Sequence, residues 1–131
     1  MTILIVEDNP TNAMILKHLA KKVTSEDIKV AGDGNTALML CHAETFDMLI
    51  VDHLLPGMSG LQFAKAVRLM DRYRDVPMIM VTADDDPRLH EDAVAAGVTD
   101  FLHKPVEAVA FRKLLADHLG TAAVHPELRS A

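Results

Sequence analysis

Three runs of four apolar residues, Ile3-Leu4-Ile5-Val6, Met48-Leu49-Ile50-Val51 and Met78-Ile79-Met80-Val81, are each followed at once by a polar residue. Short, continuous apolar runs are the signature of strands buried on both faces. Between them the apolar spacing is helical: Ile15, Leu16, Leu19 and Val23, then Leu38 with Cys41, then Leu61, Ala64 and Val67. Two weaker strands complete the series, Ile28 to Ala31 before an Asp33-Gly34 turn and Asp100 to His103 before Pro105. A last helix is expected from about Pro105 to Leu119, with Phe111, Leu115 and Leu119 as its apolar stripe. Alternating strand and helix predicts an α/β domain of five βα units around a parallel sheet.

Helix starts carry their own chemistry. Asn9-Pro10 and Asp86-Pro87 put a capping side chain before a proline whose missing N–H is harmless in the first turn. Ser59 with Gln62 forms a capping box, and Gly120 suits the C-terminal cap of the last helix. We expect one domain over residues 1–120, followed by a tail or the start of a linker at 121–131, where periodicity stops.

Composition narrows the function. Thirteen basic against 19 acidic side chains give a formal net charge of −6, which argues against nucleic acid and anionic membranes as partners. No apolar run approaches membrane-spanning length. Aromatic residues make up 4% with no Trp, too few for a surface that stacks bases or sugars. The single Cys41 cannot form an internal bridge, which suits a reducing, cytoplasmic setting. Met14, Met39, Met70, Met78 and Met80 are expected as core filler, and the seven histidines, lacking metal-ligand spacing, as surface and helix-face residues. His53 stands apart because it adjoins Asp52.

Right-handed crossovers bring the C-terminal ends of all strands to one sheet edge, where open α/β sheets bind ligands. Those ends hold Glu7 and Asp8, Asp52, Thr82 and Lys104. Crowded carboxylates relieve their repulsion by binding a hard divalent cation or retaining a proton, and so sparse a set suits Mg²⁺ better than a Ca²⁺ cage. Metal, hydroxyl and ammonium together make a site for phosphoryl transfer.

Over about residues 2 to 119 the chain resembles the receiver domains of two-component response regulators. The matching pieces are Ile5-Val6-Glu7-Asp8-Asn9-Pro10, Asp33-Gly34 with Ala37-Leu38, Ile50 to Gly60 around Asp52, Val81-Thr82-Ala83, and Gly97 to Pro105. The resemblance implies a flavodoxin-like five-stranded parallel sheet of order 2-1-3-4-5. It implies that Asp52 accepts a phosphoryl group from a phosphohistidine of a sensor histidine kinase or histidine phosphotransfer protein. It implies Mg²⁺ held by Glu7, Asp8, Asp52 and the Leu54 carbonyl, Thr82 and Phe101 as the switch, Lys104 as the cation, and a cis Lys104-Pro105 bond. It further implies a switched surface on helix 4, strand 5 and helix 5, open to a homodimer.

Two other classes share the ingredients. A Mg²⁺-dependent phosphohydrolase also uses a strand-end Asp nucleophile, but needs an acid two residues later, where this chain has Leu54. A flavin-mononucleotide module shares the fold, but Glu7 and Asp8 would repel the cofactor phosphate. A receiver that only docks proteins without taking phosphate is a third reading. Leu54 and Asp84 occupy the two positions that tune lifetime in the family; Asp84 is read either as orienting a water or as repelling the phosphoryl group.

Overall fold

The computed structural model describes residues 2–24 and 27–119. Five strands, β1 (Thr2–Val6), β2 (Asp27–Ala31), β3 (Met48–Asp52), β4 (Met78–Thr82) and β5 (Asp100–His103), form one parallel sheet in the order β2-β1-β3-β4-β5. Helices α1 (Pro10–Val23), α2 (Gly34–Ala43), α3 (Gly60–Arg68), α4 (Pro87–Ala96) and α5 (Ala108–Leu119) connect or follow the strands, with a 3-10 turn at Asp71–Tyr73. The alternating strands and helices are those the sequence pattern predicts, and the flavodoxin-like strand order is the one the family resemblance implies.

The apolar quartets explain the layering. Side chains alternate across a strand, so Leu4, Val6, Leu49, Val51, Met78 and Met80 pack toward α2, α3 and α4. Their neighbours Ile3, Ile5, Met48, Ile50, Ile79 and Val81 pack toward α1 and α5. The three central strands are buried on both faces, whereas β2, at the sheet edge, exposes part of its length. Phe111 and Leu115 of α5 are buried as expected.

The caps form where their residues predict. Asn9 accepts from the Asn12 amide at 3.1 Å, Asp86 from the Arg88 amide at 2.9 Å, and the Ser59–Gln62 box closes in both directions. Gly97 ends α4 at φ 104°, and Arg68 from α3 donates to its carbonyl through Nε at 3.1 Å and Nη2 at 2.7 Å. Gly60 opens α3 where a Cβ would sit 2.5 Å from the Asp52 carbonyl oxygen. Only glycine lets α3 start so close beneath the end of β3.

Several expectations are corrected. Asp33 is not merely in a turn: its carboxylate caps α2 by accepting from the Thr36 amide at 2.7 Å. The Lys104-Pro105 bond is cis. The last helix begins at Ala108 rather than Pro105, its first helical hydrogen bond running from the Phe111 amide to the Glu107 carbonyl. Met78 and Met80 fill the core and Met70 packs against it, but Met14 and Met39 are 70% and 72% exposed. Both lie on the outer faces of their helices, a placement that flexible Met tolerates and that spacing alone does not separate from core. The side chains of Val23 and Leu119, the Gly120 cap and the tail at 121–131 lie outside the described residues. Among the described residues, no helix is long and apolar enough to cross a membrane.

Candidate functional site

Parallel register brings the strand ends together. Val6 pairs with Val51, Asp52 with Val81 and Thr82 with His103, so β1, β3, β4 and β5 finish at one level of the sheet. Pairing continues just past the ends of β3 and β5: the His53 amide bonds the Val81 carbonyl and the Lys104 amide the Thr82 carbonyl, both at 3.0 Å. The sheet itself therefore fixes the backbone on which the functional side chains stand.

Glu7, Asp8 and Asp52 each bring a carboxylate oxygen within 4.8 Å of the others. Glu7 and Asp52 are almost fully buried and Asp8 is exposed, which leaves the cluster open on one side. Lys104 Nζ sits 3.0 Å from Asp52 Oδ1 and 3.9 Å from Glu7 Oε2. One ammonium among three carboxylates leaves the cluster short of positive charge. Glu7 registers the deficit: burial, then the neighbouring Asp52 carboxylate, push its carboxyl up to about 7. Its Oε1 accepts from the Asn9 amide at 3.1 Å, while buried Oε2 has no hydrogen-bond partner. An all-oxygen donor set with an unpartnered buried carboxylate oxygen and an open side fits a hard divalent cation such as Mg²⁺.

Thr82 is buried, and its hydroxyl accepts from the Asp84 amide at 3.0 Å and lies 3.4 Å from His53 Nδ1. Asp84 Oδ1 accepts in turn from the Asp86 amide at 2.9 Å, so the Asp84 carboxylate is engaged in its own loop. Leu54 donates its amide to Asp52 Oδ1 at 3.3 Å, and its side chain is 72% exposed. Phe101 is half-buried, packed against the α2–α4 side of the core, with its ring stacked on His90 at 4.2 Å between centroids and 6° between planes. Two hollows flank the cluster. One, of about 250 Å³, is bounded by Glu7, Asn12, Ile15, Leu16, Lys104 and Val106; the other, of about 430 Å³, by His53, Leu54, Thr82, Asp84 and Asp85. Ile15 is exposed at the rim of the first.

The structure thus gathers Glu7, Asp8, Asp52 and Lys104 into one cluster and sets Thr82 at the next strand end. Phe101 belongs to a different contact, with α4. Sequence reasoning missed three histidine contacts: His90 on Phe101, His118 with Asp100 at 3.4 Å, and His103 with Asp85 at 2.9 Å. They join residues of different elements, so no local spacing announces them.

The family model for the response regulator receiver domain matches residues 3–116. The Pseudomonas aeruginosa chemotaxis protein CheY is 36% identical over 113 residues, covering 86% of this chain and 91% of that protein. The cyclic di-GMP phosphodiesterase response regulator RpfG of Xanthomonas campestris is 38% identical over 108 residues, which are 81% of this chain and only 28% of RpfG. Among solved structures, the receiver domain of a P. aeruginosa sensor histidine kinase, with a magnesium ion coordinated in its active-site cleft, superposes with a TM-score of 0.83. It is 27% identical, with 91% of this chain and 97% of that one covered. The receiver domain of Saccharomyces cerevisiae Ssk1, solved with the histidine phosphotransfer protein Ypd1, gives a TM-score of 0.83 at 26% identity, covering 96% of this chain and 93% of that one. A match over most of the chain, on a five-stranded sheet of the expected order, establishes that this chain belongs to the response regulator receiver domains.

Proposed function

We propose that the chain is a phosphoacceptor: Asp52 takes a phosphoryl group from a phosphohistidine of a sensor histidine kinase or histidine phosphotransfer protein. The observation that carries this reading is the Glu7–Asp8–Asp52 cluster with Lys104 Nζ 3.0 Å from Asp52. A lone carboxylate is a weak nucleophile toward an anionic phosphoryl group. Glu7, Asp8, Asp52 and the Leu54 carbonyl would hold Mg²⁺, which when bound supplies the positive charge that phosphoryl oxygens need.

This chain's own residues do the rest. An Asp52 carboxylate oxygen forms the new bond to phosphorus as the bond from phosphorus to the donor imidazole nitrogen breaks, and the electron pair leaves with the imidazole. Lys104, with Nζ 3.0 Å from Asp52 Oδ1, faces the phosphoryl group as its charge arrives. The phosphoryl oxygens, which carry about −1.5 to −2 of charge in place of the carboxylate's single charge, give Thr82 a new acceptor that competes with its present contacts to Asp84 and His53. Movement of Thr82 opens room for the Phe101 ring, and the altered face of α4, β5 and α5 is then read by a downstream partner or a second copy. A hollow of about 490 Å³ between β5 and α5, lined in part by Asp100, His103, Lys113 and Asp117, lies on that face.

The exposed Ile15 and the groove beside Lys104 offer the donor an apolar footing next to the acceptor. Such donors act in the cytoplasm, where we place this chain. Leu54 has no proton to give a leaving group, which disfavours hydrolysis of external phosphate esters.

The test is transfer from a radiolabelled, histidine-phosphorylated phosphotransfer protein. Label should pass to the wild-type chain in the presence of Mg²⁺, and Asp52→Asn should take none. Label retained by Asp52→Asn would refute the acceptor assignment.

A further inference from the structure

We propose that His90 is a latch on Phe101, holding the ring in its half-buried position and so setting how readily it moves. What that movement means rests on the phosphoacceptor reading above.

The two rings are parallel and stacked, from α4 on one side and β5 on the other. Parallel stacking at this distance adds to the attraction of burial alone. The same imidazole carries an opposing term, because its Nε2 is buried and has no hydrogen-bond partner. Burying an unpaired polar nitrogen is unfavourable. Stack and unpaired nitrogen pull in opposite directions on one ring, which leaves the resting arrangement poised instead of fixed.

The latch also connects to the acceptor side of the molecule. The Thr82 hydroxyl is bonded by the Asp84 amide, Asp84 accepts from the Asp86 amide, and Asp86 caps the helix that carries His90. Asp85, between them, pairs with His103 on β5, whose ring lies 6.3 Å from that of His90. The segment from Thr82 to Phe101 is therefore tied hydroxyl to loop, loop to helix, and helix to ring.

Two substitutions at one position separate this idea from a structural role. His90→Ala removes the stack and the unpaired nitrogen together; His90→Phe keeps a stacked ring and removes only the nitrogen. With 4-fluorophenylalanine at position 101, ¹⁹F NMR reads the ratio of ring positions in each protein without any phosphate. We expect His90→Ala to lower the population of the present half-buried ring position and His90→Phe to raise it, the former by about two- to tenfold in the ratio. A role in packing alone would move both variants the same way. Ratios that are unchanged in both variants, or shifted in the same direction, would overturn the latch. Should His90→Ala not fold, His90→Phe decides: a larger stacked fraction supports the latch and an unchanged or smaller one overturns it. Mass gain of the wild type with acetyl phosphate and Mg²⁺ is measured alongside. If it is absent, the phosphoacceptor reading fails while the ring ratios still decide the latch.

Discussion

Glu7 shows how one residue can mark the purpose of a site. It is buried at the end of β1, one oxygen is without a partner, and burial, with Asp52 beside it, raises its carboxyl to about 7. A carboxylate in that position is unfavourable until a cation arrives. Glu7→Gln should therefore raise the melting temperature in chelator and shrink the additional rise on adding Mg²⁺. Equal Mg²⁺ shifts in the two proteins would remove Glu7 from the metal set. Glu7, Asp52, Thr82 and Lys104 were legible in the sequence because each stands at or just after the end of a strand run, and topology does the rest. His90 was not legible. Its contact with Phe101 joins a helix to a strand through ring orientation, which neither periodicity nor spacing encodes.

At the scale of elements, apolar quartets and capping residues were enough to place the central strands and the starts of α1, α3 and α4. They failed where one signal permits two structures. Proline before a helical stripe suits both the first turn and a loop, so α5 was started three residues early. The 3-10 turn at Asp71–Tyr73 left no periodic mark, yet it ties distant elements together. Buried Tyr73 uses its hydroxyl to meet the Cys41 carbonyl at 3.0 Å, the Glu44 carbonyl at 2.6 Å and the Phe46 amide at 3.2 Å. The turn thereby fastens the end of α2 and the approach to β3. Tyr73→Phe strands these groups and should cost about 1–3 kcal/mol in denaturant unfolding. Burial, the largest cause, pushes the Tyr73 phenol up from 10.0 to about 12. Because the folded state holds this proton more tightly, its contribution is complete below pH 10 and is lost as pH rises toward about 12. Tyr73→Phe should lack that part of the alkaline slope, and an identical slope in both proteins would contradict the assignment.

Across the whole molecule, the net charge of −6 matters less than its placement. Glu7, Asp8, Asp52 and the acidic loop Asp84-Asp85-Asp86 all lie at or beside one edge of the sheet, where Lys104 is the cation in direct contact with the cluster. A sheet that gathers its acids at the ends of its strands presents a site for a divalent cation first and for phosphate second. The most direct test is the intact mass of the chain after incubation with acetyl phosphate. With Mg²⁺ present the wild type should gain one phosphoryl group, and the gain should vanish in chelator and in Asp52→Asn. A gain that persists in Asp52→Asn, or that ignores the chelator, would contradict the account.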